Sequence, residues 1–512
     1  MTEREKYFNS TDFKNALKKY EEACSRGDKV YLESEELTDI AEYYYKSGND
    51  SQAVEVLDYA ISLHPGAALP LVFRGRMALL DEKNPEKAKH YNELIDDQLD
   101  LDCIYLKAEI MINEGKSEDA DSFLYECKER IDEDDVPDYV LDVATLFMDY
   151  NLSDKANNWL KQSYEPDLAD YKELKGRIAF SKGNYEESEH IFESLLDEDP
   201  YSNHFWNSLA STQFMRNHIN DAITSSEFSI AINPNDDEAL LNKANGLYSL
   251  GNFDEACIYY KRFINICPKE STGYMFLGNA YLNMNRLDEA EEQYRKALEY
   301  KSADSRYLVE TYQNLAFTLS QMGRETEAID YLDKAEALPV CDKSDINVVR
   351  GHILLEHGHL NDAINSFLIA LHESKFSPDI FYRISISIFD CGYMHVAYKM
   401  FKAFTDMHYG NDDEGYAYLA ACCKRLGNKA EYMNNLKQAC DKNPTETKIV
   451  FSEEFPKTIA PEKYYRYEEE SNHNIYFKNQ TTNDSKFTLR HELDYSTFRP
   501  PQLWNDIFPH AS

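Results

Sequence analysis

The sequence lacks any run of about 18 apolar residues, so it offers no transmembrane helix. Its opening segment, MTEREKYFNS, has no apolar core of the signal-peptide kind, and a cytoplasmic location is expected. The ten cysteines include no CxxC pair, and the adjacent Cys422 and Cys423 are poorly placed to bond each other. Reduced, packed thiols are the expectation. Basic residues are scarce: 54 Lys and Arg stand against 92 Asp and Glu, a net charge of −38. That balance excludes a phosphate-tracking surface for nucleic acid and disfavours docking on anionic membranes. It leaves a basic protein partner open. No GxxxxGK[ST] loop, GxGxxG fingerprint or GxSxG elbow occurs, so no phosphate-binding or nucleophile motif points to an enzyme.

What the chain does have is a period of 34. Gly183, Asn217, Gly251 and Asn285 stand 34 residues apart, followed at the same interval by Ser188, Ala222, Ala256 and Ala290. Pro200, Pro234 and Pro268 close three of these segments. Within each segment apolar residues recur at helical spacing, as in Tyr274, Leu277, Gly278 and Tyr281. Glycine or asparagine permits the left-handed residue that ends a helix. Alanine lets two helices approach, and proline stops the second one. No such unit buries its apolar face alone, so units must stack.

This pattern resembles the tetratricopeptide repeat, a 34-residue helix–turn–helix unit. The fullest match runs through Tyr274, Leu277, Gly278, Tyr281, Ala290, Tyr294 and Ala297; another carries Trp206, Leu209, Ala210, Ala222 and Pro234. Weaker matches extend the array to about twelve units over residues 34–445. The expected fold is all-α: a right-handed superhelical solenoid of antiparallel helix pairs. Residues 1–33 are expected to form a capping helix. Residues 446–512 form a non-repeat extension with 12 aromatics, including Phe477, Trp504 and Phe508. Within it Ile475 to Leu489 reads as a hairpin turning near Asn483 and Asp484. The step from Ala290 to Ala328 is 38 residues, and the extra four are expected in a loop near Lys301 to Arg306.

The resemblance also implies a site. In the family the first helix of each unit lines the concave face and binds peptides. Mapped onto this sequence, that lining holds Arg177, His204, Asn207, Ser211, Asn242, Asn245, Tyr248, Met275, Asn279, Asn283, Gln313, Asn314 and Phe317. It is rich in amides, which can both donate to and accept from a peptide backbone. Tyr248, Met275 and Phe317 are candidates for apolar pockets. The lysine and arginine positions of a chaperone-binding carboxylate clamp fall instead on residues such as Gln313, Asn314, Asp345 and Val349, so that specificity is not expected.

Residues 93–142 hold 18 acids against 4 basic residues, including the run Asp132, Glu133, Asp134 and Asp135. These are either a solvated turn or a docking surface for a basic partner. His352, His357 and His359 lie close in sequence, but their spacing does not suit one helix face. A metal or enzyme site built from His352, His357 and Cys391 is the reading from another class, and neither metal nor cofactor is expected. The leading expectation is a non-enzymatic scaffold or adaptor for a protein or peptide, with self-association compatible. The alternative is a regulated adaptor whose aromatic extension docks on the array, as a cap or as an autoinhibitor.

Overall fold

A computed structural model describes residues 7–163, 167–300, 305–406, 413–452, 454–456 and 458–476. Among them every regular element is helical. The protein is an all-α array of helix hairpins, and it divides into two compact units, Met1–Gly323 and Arg324–Ser512.

The first unit starts with the helix Thr11–Arg26 and continues as eight hairpins. In order these are Ser34–Lys46 with Asp50–Leu63, Ala68–Leu80 with Pro85–Glu93, Leu101–Asn113 with Ser117–Lys128, and Val136–Asp149 with Ser153–Leu160. Next come Ala169–Ser181 with Tyr185–Glu198, Asn203–Met215 with Ile219–Ile232, Asp237–Ser249 with Phe253–Ile266, and Ser271–Asn283 with Leu287–Glu299. The helix Ser305–Gln321 ends this unit. The second unit opens with Glu325–Glu336, followed by Lys343–Glu356 with Leu360–Glu373, Pro378–Asp390 with Met394–Asp406, and Tyr416–Arg425 with Lys429–Lys442.

The repeat chemistry explains the hairpins. Gly183 and Gly251 turn at φ of 77° and 78°, and Asn217 and Asn285 do the same work at 61° and 56°. These are left-handed conformations that glycine and asparagine adopt most cheaply. Between the two helices a small residue faces an aromatic ring. A Cβ on Gly278 would sit 2.7 Å from Tyr294 Cε1, so the ring occupies the space a side chain would need. Tyr260 and Tyr294 are both fully buried, as are Ala256 and Ala290 on the same helices. Each such ring contributes roughly 2–3 kcal/mol of apolar burial.

The four extra residues are not where a loop was expected. First helices from Ala169 to Asn283 are 13 residues long, whereas Ser305–Gln321 has 17. Ser271 and Ser305 keep the 34-residue spacing of helix starts, while the helix ends at Asn283 and Gln321 are 38 apart. Ser305 and Arg306 are helical, so the insertion adds about one helical turn. Nothing in SRYLVETYQNLAFTLSQ breaks a helix.

Stacking curls the first unit. Lys269 Nζ donates to the Gly48 carbonyl at 3.1 Å across 221 residues. At the N-terminal end Phe13, Tyr20 and Leu32 pack into one core with Leu37, Ile40 and Ala41 of the first hairpin.

In the second unit the chain after Lys442 folds back over the last hairpin. Phe451, Phe455 and Tyr464 join a core with Tyr432, Leu436 and Ala439. Glu446, buried in the short helix Pro444–Val450, accepts the backbone N–H groups of Gly415 at 2.9 Å and Ala417 at 3.1 Å and the hydroxyl of Tyr382. Ile475 and Tyr476 belong to the helix Tyr464–Tyr476, and the rest of the expected hairpin lies outside the described residues.

Candidate functional site: the first-helix face

In the first unit, side chains on consecutive first helices meet one another. Tyr45 donates to Asp81 at 3.2 Å, Arg76 to Glu109 at 3.1 Å and Tyr105 to Asp142 at 2.9 Å. Arg177 pairs with Asp149 at 2.7 Å, and His204 Nε2 meets Glu173 at 2.9 Å. Asn207 donates to Glu238 at 3.5 Å, Asn242 to Ser211 at 3.2 Å, Asn283 to Tyr248 at 2.7 Å and Asn314 to Asn279 at 2.9 Å. Every junction between neighbouring first helices, from the first hairpin to Ser305–Gln321, carries at least one of these bonds. The result is a polar seam along one face.

The amides expected to await a ligand are therefore largely engaged. Asn245 and Asn279 share a repeat position and a bonding pattern. Asn245 Oδ1 accepts from Tyr260 at 2.8 Å and Asn279 Oδ1 from Tyr294 at 2.7 Å. Asn279 also donates to Glu310 at 3.4 Å. Gln313 and Phe317 lie half-buried on Ser305–Gln321. Two lining residues are buried. Met275 is wholly buried, so it offers no pocket, and Asn207 is only 3% exposed. They occupy the same repeat position, 68 residues apart, and Asn207 points toward the next hairpin, where it also donates to Asp236 at 3.0 Å.

The seam's electrostatics are dominated by carboxylates. Asp142 and Glu238 are exposed, yet desolvation by the surrounding walls pushes both above the usual carboxylate range. Desolvation does the same to half-buried Glu310. Glu173 is held low by its bond to His204, and the same bond raises the His204 imidazole. At the first junction a cleft is lined by Glu35, Asp39, Glu42, Arg76 and Asp102. A second cleft, lined by Tyr171, Lys172, Lys175, Tyr185 and His190, has its two lysines already paired with Glu198 and Glu187. Asp132, Glu133, Asp134 and Asp135 are exposed in the turn before Val136–Asp149, away from these bonds.

In the second unit His352 and Cys391 approach to 3.9 Å, between Nδ1 and Sγ. Burial lowers the imidazole and pushes the Cys391 thiol up to about 12, which disfavours the thiolate. His359 instead meets Glu325 at 3.1 Å. No group of three metal-ligating side chains occurs among the described residues.

Two tetratricopeptide-repeat family models match, over residues 238–269 and 269–338. The chain is a tetratricopeptide-repeat protein. The human protein O-mannosyl-transferase TMTC3 is 25% identical over 167 residues, and its Mus musculus counterpart is 24% identical. That alignment covers 31% of this chain and 18% of the relative, so the chain spans under a fifth of the curated relatives' length. Among solved structures, the Cut9-Hcn1 hetero-tetramer of APC/C aligns with a TM-score of 0.37 at 15% identity, covering 88% of this chain and 94% of that one. TTC0263 of Thermus thermophilus has a TM-score of 0.32 at 19% identity, covering 35% and 98%.

For this tetratricopeptide-repeat protein, asparagines alone gave an incomplete account of the face. The residues passed over were the carboxylates Asp142, Asp149, Glu173, Glu238 and Glu310. Of these only Glu238 and Glu310 share a register position, six residues before Ala244 and Ala316; Asp142, Asp149 and Glu173 each stand at a different one. No helix among the described residues is long and apolar enough to cross a membrane.

Proposed function

We propose that the protein is a non-enzymatic interaction scaffold that holds an extended segment of a protein partner along the first-helix face of the first unit. The observation that carries this reading is the seam, in which side chains from nine successive first helices are fixed in place by bonds between neighbours. Groups held in this way lose little freedom on binding, so contact energy is not spent on ordering them. The curl marked by Lys269 and Gly48 favours an elongated ligand lying across several hairpins. A photo-crosslinking residue at exposed Asn283 or half-buried Phe317 is expected to capture the partner. The same residue at Phe228 or Ile258, exposed on second helices, is expected not to. Adducts from the second-helix positions alone would overturn the reading.

The alternative of a docked C-terminal extension has support in its capping form. Phe451, Phe455 and Tyr464 cover apolar surface of the last hairpin, and in that reading they complete the core rather than compete with a ligand.

A further inference from the structure

The first helices share a register set by one small buried residue each. In the first unit these include Ala41, Ala108, Ala144, Gly176, Ala244 and Ala316. Six residues before each of them stands an acid: Glu35, Asp102, Asp138, Asp170, Glu238 and Glu310. The second unit repeats the pattern with Asp345, Asp379 and Glu414, placed six before Gly351, Ser385 and Ala420. Nine of twelve registers carry a carboxylate, and the exceptions are Leu69, His204 and Thr272. Lysine and arginine never occur there.

A helix N-terminus favours acids, and most of these residues lie in a first turn. That explanation does not cover Glu310. It is the sixth residue of Ser305–Gln321, one turn too far along to meet the free N–H groups. The insertion moved the helix start back by a turn, yet the acid kept its place relative to Ala316. Its position follows the face and not the helix end.

The first-unit acids are also left without ion pairs, although Arg76 lies in the same cleft as Asp102 and His204 acts on Glu238. None of the six forms an ion pair among the described residues. Glu238 has the long bond from Asn207 and feels the His204 imidazole without pairing to it, and Glu310 has neutral amides. Some acids on the second helices are paired: Glu118 with Lys155 and Glu227 with Lys243. In the second unit Arg383 neutralises both Asp345 and Asp379. Beside Glu238, moreover, Asn207 holds a side-chain oxygen that is shielded from water and has no hydrogen-bond partner. An acceptor of that kind next to a carboxylate without an ion pair calls for an N–H donor carrying positive charge.

We propose that this column reads an extended basic segment of a protein partner, with a lysine or arginine at about every third residue. The inference rests on the scaffold reading above and names its ligand chemistry. Packed helices stand roughly 10 Å apart, and three residues of an extended or polyproline II chain span about the same distance. Along Asp102, Asp138 and Asp170 one cation per hairpin then meets one carboxylate per hairpin, and across His204 and Thr272 the spacing doubles to one cation for every second hairpin. At Glu238 the exposed carboxylate swings aside to let the cation reach the Asn207 oxygen.

The test uses the full chain and fluorescence anisotropy with labelled peptides of equal length. One is a Lys-Pro-Ser repeat, one has the same composition with its lysines clustered at one end, and two carry glutamine or glutamate in place of lysine. The periodic lysine peptide is expected to bind about tenfold tighter than the clustered one, and to weaken as salt is raised from roughly 50 to 300 mM. Asp138→Asn, Glu238→Gln and Glu310→Gln together are expected to cost about tenfold or more in affinity. Neutralising Asp132, Glu133, Asp134 and Asp135 should change it less than about twofold. Circular dichroism checks that both variants are folded. Equal binding of both lysine peptides, unchanged affinity in the column variant, or no binding at low salt would each overturn the inference. Binding of the glutamine peptide alone would overturn it while leaving the scaffold reading intact.

Discussion

Tyr294 donates its hydroxyl to Asn279 Oδ1 at 2.7 Å, joining the second helix of a hairpin to the first. The same amide oxygen accepts from Asn314 of the next first helix at 2.9 Å. One asparagine thus ties the hairpin interior to the seam. Tyr294→Phe removes a donor and keeps the packing, so it is expected to lower stability by about 1 kcal/mol. Tyr294→Ala empties a buried ring site and is expected to cost about 3–5 kcal/mol. Urea unfolding of both variants checks the ratio.

His204 is predicted to titrate above the ordinary imidazole value of about 6.5, because Glu173 beside it favours the charged ring. The sign follows from linkage. With the folded value raised, the pair's contribution is full below the unfolded value and is lost as pH rises through the folded one. Glu173→Gln should bring the His204 titration back down, as followed by its imidazole NMR resonances. No shift in that variant would refute the coupling.

Glu446 satisfies two backbone N–H groups and the Tyr382 hydroxyl with one buried carboxylate. Glu446→Ala strands all three donors and is expected to cost roughly 3 kcal/mol or more. Glu446→Gln can still accept from some of them and should cost less. Thermal unfolding of the two variants gives the order directly.

The segment from Pro444 to Tyr464 is predicted to be structural. Phe451→Ala should destabilise the protein by about 3–5 kcal/mol. A chain ending at 445 should expose the apolar side of Tyr432 and Leu436, lowering the melting temperature and promoting aggregation. A truncated chain with an unchanged melting temperature would contradict the assignment.

Much of the fold was legible because each repeat states its own geometry. Gly251 and Asn285 announce turns, and Ala256 and Ala290 announce close helix contacts. The insertion was misplaced because sequence spacing gives only its length. Ser305 and Arg306 carry no helix breaker, and continuing the helix gives their carbonyls N–H partners four residues on. The division at Gly323 leaves no composition shift to read. The site was harder. Asn245 and Asn279 do lie on the first-helix face, but a sequence does not show that Tyr260 and Tyr294 already occupy their oxygens. Met275 and Asn207 share a register position that is buried, which a list of first-helix residues does not distinguish from the open face. Glu238 and Glu310 become visible only after the small buried residues Ala244 and Ala316 fix the register across the insertion.

The most direct test of the account is hydroxyl-radical footprinting of the complex with the partner captured from Asn283. The account predicts that Tyr105, Tyr248 and Phe317 on first helices lose reactivity on binding, while the exposed Tyr201, Phe228 and Ile258 keep theirs. Protection of Phe228 and Ile258 with Tyr105 and Tyr248 unchanged would contradict it.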